Sequence, residues 1–196
     1  MSRRPLSLLL VLLLALAPAG CGNERRPAPE VSAEPSEETQ TLDYPGAGLR
    51  LDLPRNFTVQ TARRPGVFRA TFGPGSVSAF AYRRREELPG SDADLAKALE
   101  RLETATKKRS SSFELSESRT LELDGARAVE LLGSQTISQT RLRTRSLHVF
   151  KGKAEYVIEL LAPPREFRSL DRRVLGLIRS SLELTGDVTP AGDAAP

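Results

Sequence analysis

The stretch Leu121-Glu122-Leu123-Asp124-Gly125-Ala126-Arg127-Ala128 carries the decisive pattern of this chain. Apolar and polar residues alternate on both sides of Asp124-Gly125, and an Asp-Gly pair suits the two positive-φ positions of a tight hairpin turn. The pattern predicts a β-hairpin with strands over 116–123 and 126–137, the second bulged at Gly133. Downstream, 140–150 and 154–161 read as two more strands joined by Lys151-Gly152-Lys153. Upstream, 48–53 alternates and stops at Pro54, and short strands follow over 57–60, 67–72 and 76–82. The last two are joined across Gly73-Pro74-Gly75, a turn signal.

Two helices punctuate the strands. Ser91 is placed to cap a helix whose first turn holds Asp92 and Asp94, complementing the helix dipole. Leu95, Leu99 and Leu102 form its apolar stripe with Ala98 and Ala105, and Lys107, Lys108 and Arg109 suit its end. Pro163-Pro164 opens a last helix with a stripe of Phe167, Leu170, Val174, Leu177 and Ile178, ending near Leu184-Thr185-Gly186. Strands, a helix, hairpin-linked strands and a helix make an α+β fold: a mainly antiparallel β-sheet flanked by amphipathic helices.

Three segments resemble the PsbP-like superfamily. They are the opening strand Tyr44-Pro45-Gly46-Ala47-Gly48-Leu49-Arg50-Leu51-Asp52-Leu53-Pro54, the hairpin Leu121 to Ala128, and the Tyr156 strand followed by the closing helix through Ile178-Arg179-Ser180-Ser181-Leu182. That superfamily includes the extrinsic photosystem II subunit, the Ran-binding Mog proteins, DcrB and LpqN-type bacterial lipoproteins. The resemblance covers residues 42–185. It implies an α/β/α sandwich with a binding or accessory role, and it brings no catalytic residue.

The N-terminus has a different character. Arg3-Arg4 precedes an apolar run from Leu6 to Ala17, then Pro18-Ala19-Gly20-Cys21. A run of about a dozen residues reaches about 18 Å as a helix, short of the roughly 30 Å of a bilayer core. It therefore reads as a signal peptide over 1–20. Ala19, Gly20 and Cys21 resemble the bacterial lipobox, which implies lipidation of Cys21, the chain's single cysteine. Leu6 fits a twin-arginine export motif and Ser7 does not, which favours the general secretory route. Residues 21–41 hold five Glu, two Arg and one large apolar residue, Val31, and read as a disordered tether. Residues 42–185 form the domain, and 186–196 a frayed tail. The expected place is outside the cytoplasm, on the cell membrane or the outer membrane. Gly22 is not the Asp that often retains a lipoprotein in the inner membrane.

With one cysteine the chain can form no intramolecular disulfide, and the folded part has no thiol for metal binding or catalysis. The single His148 has no second histidine with which to hold zinc. No G-x-S-x-G and no phosphate loop is present. No catalytic residue, metal or cofactor is expected. Residues 42–185 carry 25 Lys plus Arg against 18 Asp plus Glu, an excess of +7. Arg141, Arg143 and Arg145 alternate and should share one strand face. Arg83, Arg84 and Arg85 form a second group, and Arg63 and Arg64 a third. The sharp reading is a basic surface for anionic headgroups, cell-wall polymer or an acidic envelope protein; the bland one is a solvated edge. Nucleic acid is a poor partner for an exported protein. Tyr44, Phe57, Phe68, Phe72, Phe80 and Tyr82 read as core, or as the wall of an apolar pocket.

The function expected from these features is a membrane-anchored, non-enzymatic binding or accessory lipoprotein of the cell envelope. Two rivals remain: a carrier of a lipid or other apolar small molecule, and a hydrolase with an unrecognised site. An apolar cavity would favour the carrier, and a serine or convergent acids beside His148 would favour the hydrolase.

Overall fold

The computed structural model describes residues 34–189. Among them the elements run β1 (Thr39–Tyr44), a 3-10 turn (Pro45–Ala47), β2 (Leu49–Pro54), β3 (Thr58–Thr61), β4 (Gly66–Phe72), β5 (Gly75–Arg83) and α1 (Asp92–Arg109). Then come β6 (Glu114–Leu123), β7 (Ala126–Ile137), β8 (Thr140–Lys151), β9 (Ala154–Ala162), α2 (Pro164–Leu170), a π turn (Asp171–Leu175), α3 (Gly176–Ser181) and β10 (Glu183–Leu184).

The main sheet has the order β3-β4-β5-β9-β8-β7-β6, and a small sheet has the order β1-β2-β10. Every pairing in both is antiparallel. The decisive hairpin forms as its sequence dictates, with Asp124 at φ 51° and Gly125 at φ 65°. The α+β class and the flanking helices are therefore those of the sequence pattern. Among the described residues no helix is long and apolar enough to cross a membrane.

Alternation gives the main sheet two faces. One face presents Leu123, Ala128, Leu132, Leu147, Val149, Tyr156, Ile158 and Leu160 to the core shared with Phe167, Leu170, Val174, Leu175 and Ile178 of the last helix. The small sheet closes this core with Leu49, Leu51 and Leu53. The other face receives α1: Leu95 packs with Val129 and Leu131, joined by the half-buried Leu99, Leu102, Leu115 and Phe150. Ser91 caps α1 by accepting from the Asp94 amide at 3.2 Å.

Four expectations need correction. The domain begins earlier than residue 42, because Thr39, Gln40 and Thr41 pair with Pro54, Leu53 and Asp52. Polar side chains hid this strand: Gln40 Nε2 donates to the carbonyls of Pro54, Arg55 and Phe57. The far boundary also moves, because the Thr189 amide donates to the Gly46 carbonyl at 3.1 Å, inside the expected tail. The irregularity expected at Gly133 lies on the neighbouring strand, where register shifts between Leu115 and Glu117. Gly133 is required for another reason: a Cβ there would meet the Phe113 ring at 2.5 Å and the Glu114 carbonyl oxygen at 2.6 Å. Finally, the last helix ends at Ser181, and Glu183 and Leu184 pair with Arg50 and Leu49. Its π turn inserts an extra residue and rotates the helix beyond it, so Leu175 is fully buried while Leu177 is only half-buried.

Candidate functional site

The alternating arginines do share one face of β8, but it is the face beneath the last helix. Arg145 has only 12% of its side chain exposed; its Nη2 donates to Asp171 at 3.0 Å, and its Nη1 donates to Glu130. Glu130 is 2% exposed and also accepts from Arg119 Nε at 2.9 Å and from Arg179. A carboxylate removed from water needs paired, hydrogen-bonded cations. Three guanidiniums from β6, β8 and α3 therefore converge on it and tie the sheet to the helix. Arg143 sits over the Phe167 ring at 5.4 Å, and Arg141 pairs with the exposed Glu114. Of the expected basic surface over 141–145, Arg141 is exposed and Arg143 half-buried, and only Arg145 is withdrawn from it. Arg145 is a structural ion-pair member, because the helix supplies Asp171 and covers the face.

Arg83, Arg84 and Arg85 lie at the other end of the sheet. Arg83 pairs with Ala154 in register, whereas Arg143 pairs with Ala162, eight residues further along β9. The two groups do not form one surface. Within the triplet the roles divide. Arg83 and Arg85 are exposed, while Arg84 folds inward over Tyr82 at 5.3 Å and donates through Nε to Glu155 at 2.7 Å. The other oxygen of Glu155 lies 2.8 Å from His148 Nδ1. Burial raises the Glu155 pKa, but hydrogen bonds and charge from His148 and Arg84 more than offset it, so the carboxyl is held below its ordinary range. A carboxylate fixed between an arginine and a histidine is a structural clamp. It fixes the orientation of the His148 ring through Nδ1.

Beside this clamp the 84–89 loop and the β8–β9 turn bound an open cleft of about 1020 Å³ that includes Arg83, Arg85, Leu88, Phe150 and Lys153. A narrower groove of about 270 Å³ continues beneath α1 past Ala98, Arg101 and Leu102. The cleft rim carries Arg83, Arg85 and Lys153 beside Glu86 and Glu87 over an apolar wall of Leu88 and Phe150, and can hold a segment that carries both charged and apolar groups. Arg63 is exposed in the β3–β4 loop, and Arg64 donates to the Thr189 carbonyl at 2.8 Å; neither reaches this cleft. Of the aromatics, Phe57, Phe68 and Phe72 are core, with Tyr44 stacked on Phe68 and Phe57 on Phe72. Phe80 and Tyr82 stack on each other, half-buried, on the α1 side of the sheet. Cys21 lies outside the described residues, as do the leader and most of the tether.

One cationic group escaped the sequence reading. Arg165, Arg168, Arg172 and Arg173 line a shallow hollow of about 300 Å³ with Ser169 on the outside of the last helix. The signal was present: arginines at spacings of three and four opposite the stripe Phe167, Leu170 and Val174.

No protein-family model and no curated protein sequence matches the chain. Solved structures do. The solution structure of cyanobacterial PsbP (CyanoP) from Synechocystis sp. PCC 6803 superposes with a TM-score of 0.59 at 10% identity, over 74% of this chain and 92% of that one. The crystal structure of LpqN, involved in cell envelope biogenesis of Mycobacterium tuberculosis, superposes with a TM-score of 0.53 at 17% identity, over 76% of this chain and 91% of that one. At such identities the likeness is one of backbone architecture, which does not transfer a function. The antiparallel sheet between α1 and the last helix, together with these superpositions, shows that the domain has the PsbP-like fold.

Proposed function

We propose that this chain is a membrane-anchored lipoprotein of the cell envelope, lipidated on Cys21, with a non-enzymatic binding or accessory role. The partner's contact is the cleft bounded by Arg83, Arg85, Leu88, Phe150 and Lys153. One observation carries the reading. The buried carboxylates are engaged, Glu155 with His148 and Arg84, and Glu130 with three arginines, while Arg83, Arg85 and Lys153, in no ion pair among the described residues, stand with Glu86 and Glu87 on the rim of an open cleft. Such an arrangement favours recognition over chemistry. LpqN, which shares the fold, is involved in cell envelope biogenesis.

The carrier reading has its best candidate in a hollow of about 280 Å³ beside Tyr44, Pro65, Val67 and Val188. That volume lies at the lower edge of the roughly 300–1,000 Å³ usual for small-molecule sites. The hydrolase reading would need a hydroxyl on His148, whose side-chain hydrogen bond is to Glu155.

The test is made in a bacterial host. Wild-type chain should fractionate with membranes and incorporate a labelled fatty acid, and Cys21→Ala should do neither. An envelope component cross-linked through a photoreactive residue at position 85 should be lost on Lys153→Glu. An unlabelled, freely soluble wild type would overturn the anchor, and unchanged cross-linking would overturn the cleft.

A further inference from the structure

The outer face of the last helix and the point where the preceding chain enters the domain lie side by side. Arg165, Arg168 and Arg172 are all exposed and project away from Phe167, Leu170 and Val174, which are buried. No ion pair engages any of the three among the described residues, in contrast to Arg145, Arg179 and Arg119 on the inner side. The acids near the face are engaged with other arginines than these three. Asp171 binds Arg145, and Glu34 binds Arg173 at 3.1 Å, leaving Glu166 as the exposed acid on this turn. The three guanidiniums lie within about two helical turns, roughly 10 Å, of one another along the axis.

Glu34 is the first described residue, and it is held in place. Besides its pair with Arg173, its carbonyl accepts from Asn56 Nδ2 at 3.0 Å. The chain that leads back to Cys21 therefore reaches the domain next to the arginine face. Thirteen residues separate the two positions, so the lipidated sulfur lies at most about 45 Å of extended chain from Glu34.

We propose that Arg165, Arg168 and Arg172 dock the domain onto anionic phospholipid headgroups of the membrane that holds its anchor. This rests on the lipoprotein reading above. Guanidiniums match phosphate oxygens in geometry as well as charge. Because α1 and the last helix cover opposite faces of the sheet, docking by the latter leaves the groove beneath α1 on the side away from the lipid. Each arginine near an anionic leaflet raises partitioning by about fivefold, and three by about a hundredfold, an effect that salt screens.

The full-length chain carrying Cys21→Ser is compared with the same chain carrying Arg165→Ser, Arg168→Ser and Arg172→Ser in addition. Both keep the same leader, so its contribution cancels. Each is sedimented with vesicles of phosphatidylcholine alone and with 30% phosphatidylglycerol. A third chain loses Arg101, Lys107 and Lys108 on α1 instead, an equal change in net charge. The arginine face predicts about a hundredfold weaker binding to the anionic vesicles for the first triple variant only, vanishing in 1 M salt and on neutral lipid. Equal binding of that variant, or an equal loss in the α1 variant, overturns the proposal. Circular dichroism of the variants excludes misfolding as the cause. Anchoring is read separately: wild type with Cys21 intact should stay on neutral vesicles in 1 M salt, and its release would remove the lipoprotein reading while leaving the headgroup result standing.

Discussion

Glu130→Gln should be among the most damaging conservative substitutions in the molecule. The side chain keeps its shape and one acceptor but loses the charge on which Arg119, Arg145 and Arg179 converge. Removing one member of a buried ion pair costs about 3–5 kcal/mol, because a charge is left uncompensated away from water. The low end applies here. Arg179 and Arg119 have 29% and 50% of their side chains exposed and can turn toward solvent, and Arg145 retains Asp171. About 3 kcal/mol is therefore expected, and in a domain of this size that lowers Tm by about 6–12 °C. Arg141→Ser is the internal control. Its pair with Glu114 is 60% and 66% exposed, so its loss should cost under about 1 kcal/mol. Urea unfolding followed by far-UV circular dichroism at pH 7, with unchanged m values, measures both. A Glu130→Gln protein within about 0.5 kcal/mol of wild type, or an Arg141→Ser protein equally destabilised, would refute the picture of a buried hub and an exposed outlier.

Two further outcomes rest on the same physics. The Glu155 pKa is lower in the fold than its ordinary value of 4.5, so the stabilisation it provides is complete above that value and lost as pH falls through the folded one. Glu155→Gln should accordingly flatten the acid limb of a urea-stability profile, and an unaltered acid slope would contradict the clamp on His148 and Arg84. The π turn makes an equally sharp distinction: Leu175→Ala should cost about 2–5 kcal/mol as a core truncation, and the half-buried Leu177→Ala under about 1 kcal/mol. Chemical denaturation of the pair would expose an error if the order came out reversed.

The positions of these groups show where reading a sequence works. Asp124-Gly125 demanded a hairpin because few residue pairs occupy two successive positive-φ sites cheaply, and it formed. The apolar periodicities of 92–109 and 164–178 likewise marked two amphipathic helices that need a sheet face to cover, and each covers one. β1 was missed because Thr39, Gln40 and Thr41 look like tether; their strand is held by backbone pairing to β2, which no local composition reveals.

Charge was harder to place than apolarity. Alternation put Arg141, Arg143 and Arg145 on one face, yet alternation is blind to which face a helix will cover. Asp171 and Arg179 come from a different part of the chain, and with them Arg145 joins an interior ion-pair cluster around Glu130 while Arg141 stays exposed. Arg165, Arg168 and Arg172, by contrast, lie on the side of a helix away from its own apolar stripe and face water as that spacing dictates.

The sequence by itself determined the strand and helix types, the hairpin turn at Asp124-Gly125, and the leader-like apolar run that precedes Cys21. These depend on local sterics, on periodicity and on hydrophobic length, all short-range in the chain. Only the tertiary structure decided which arginines are neutralised, where His148 is clamped, and that Leu175 rather than Leu177 is core. Ion pairing and burial act through space, and their partners lie far apart along the chain.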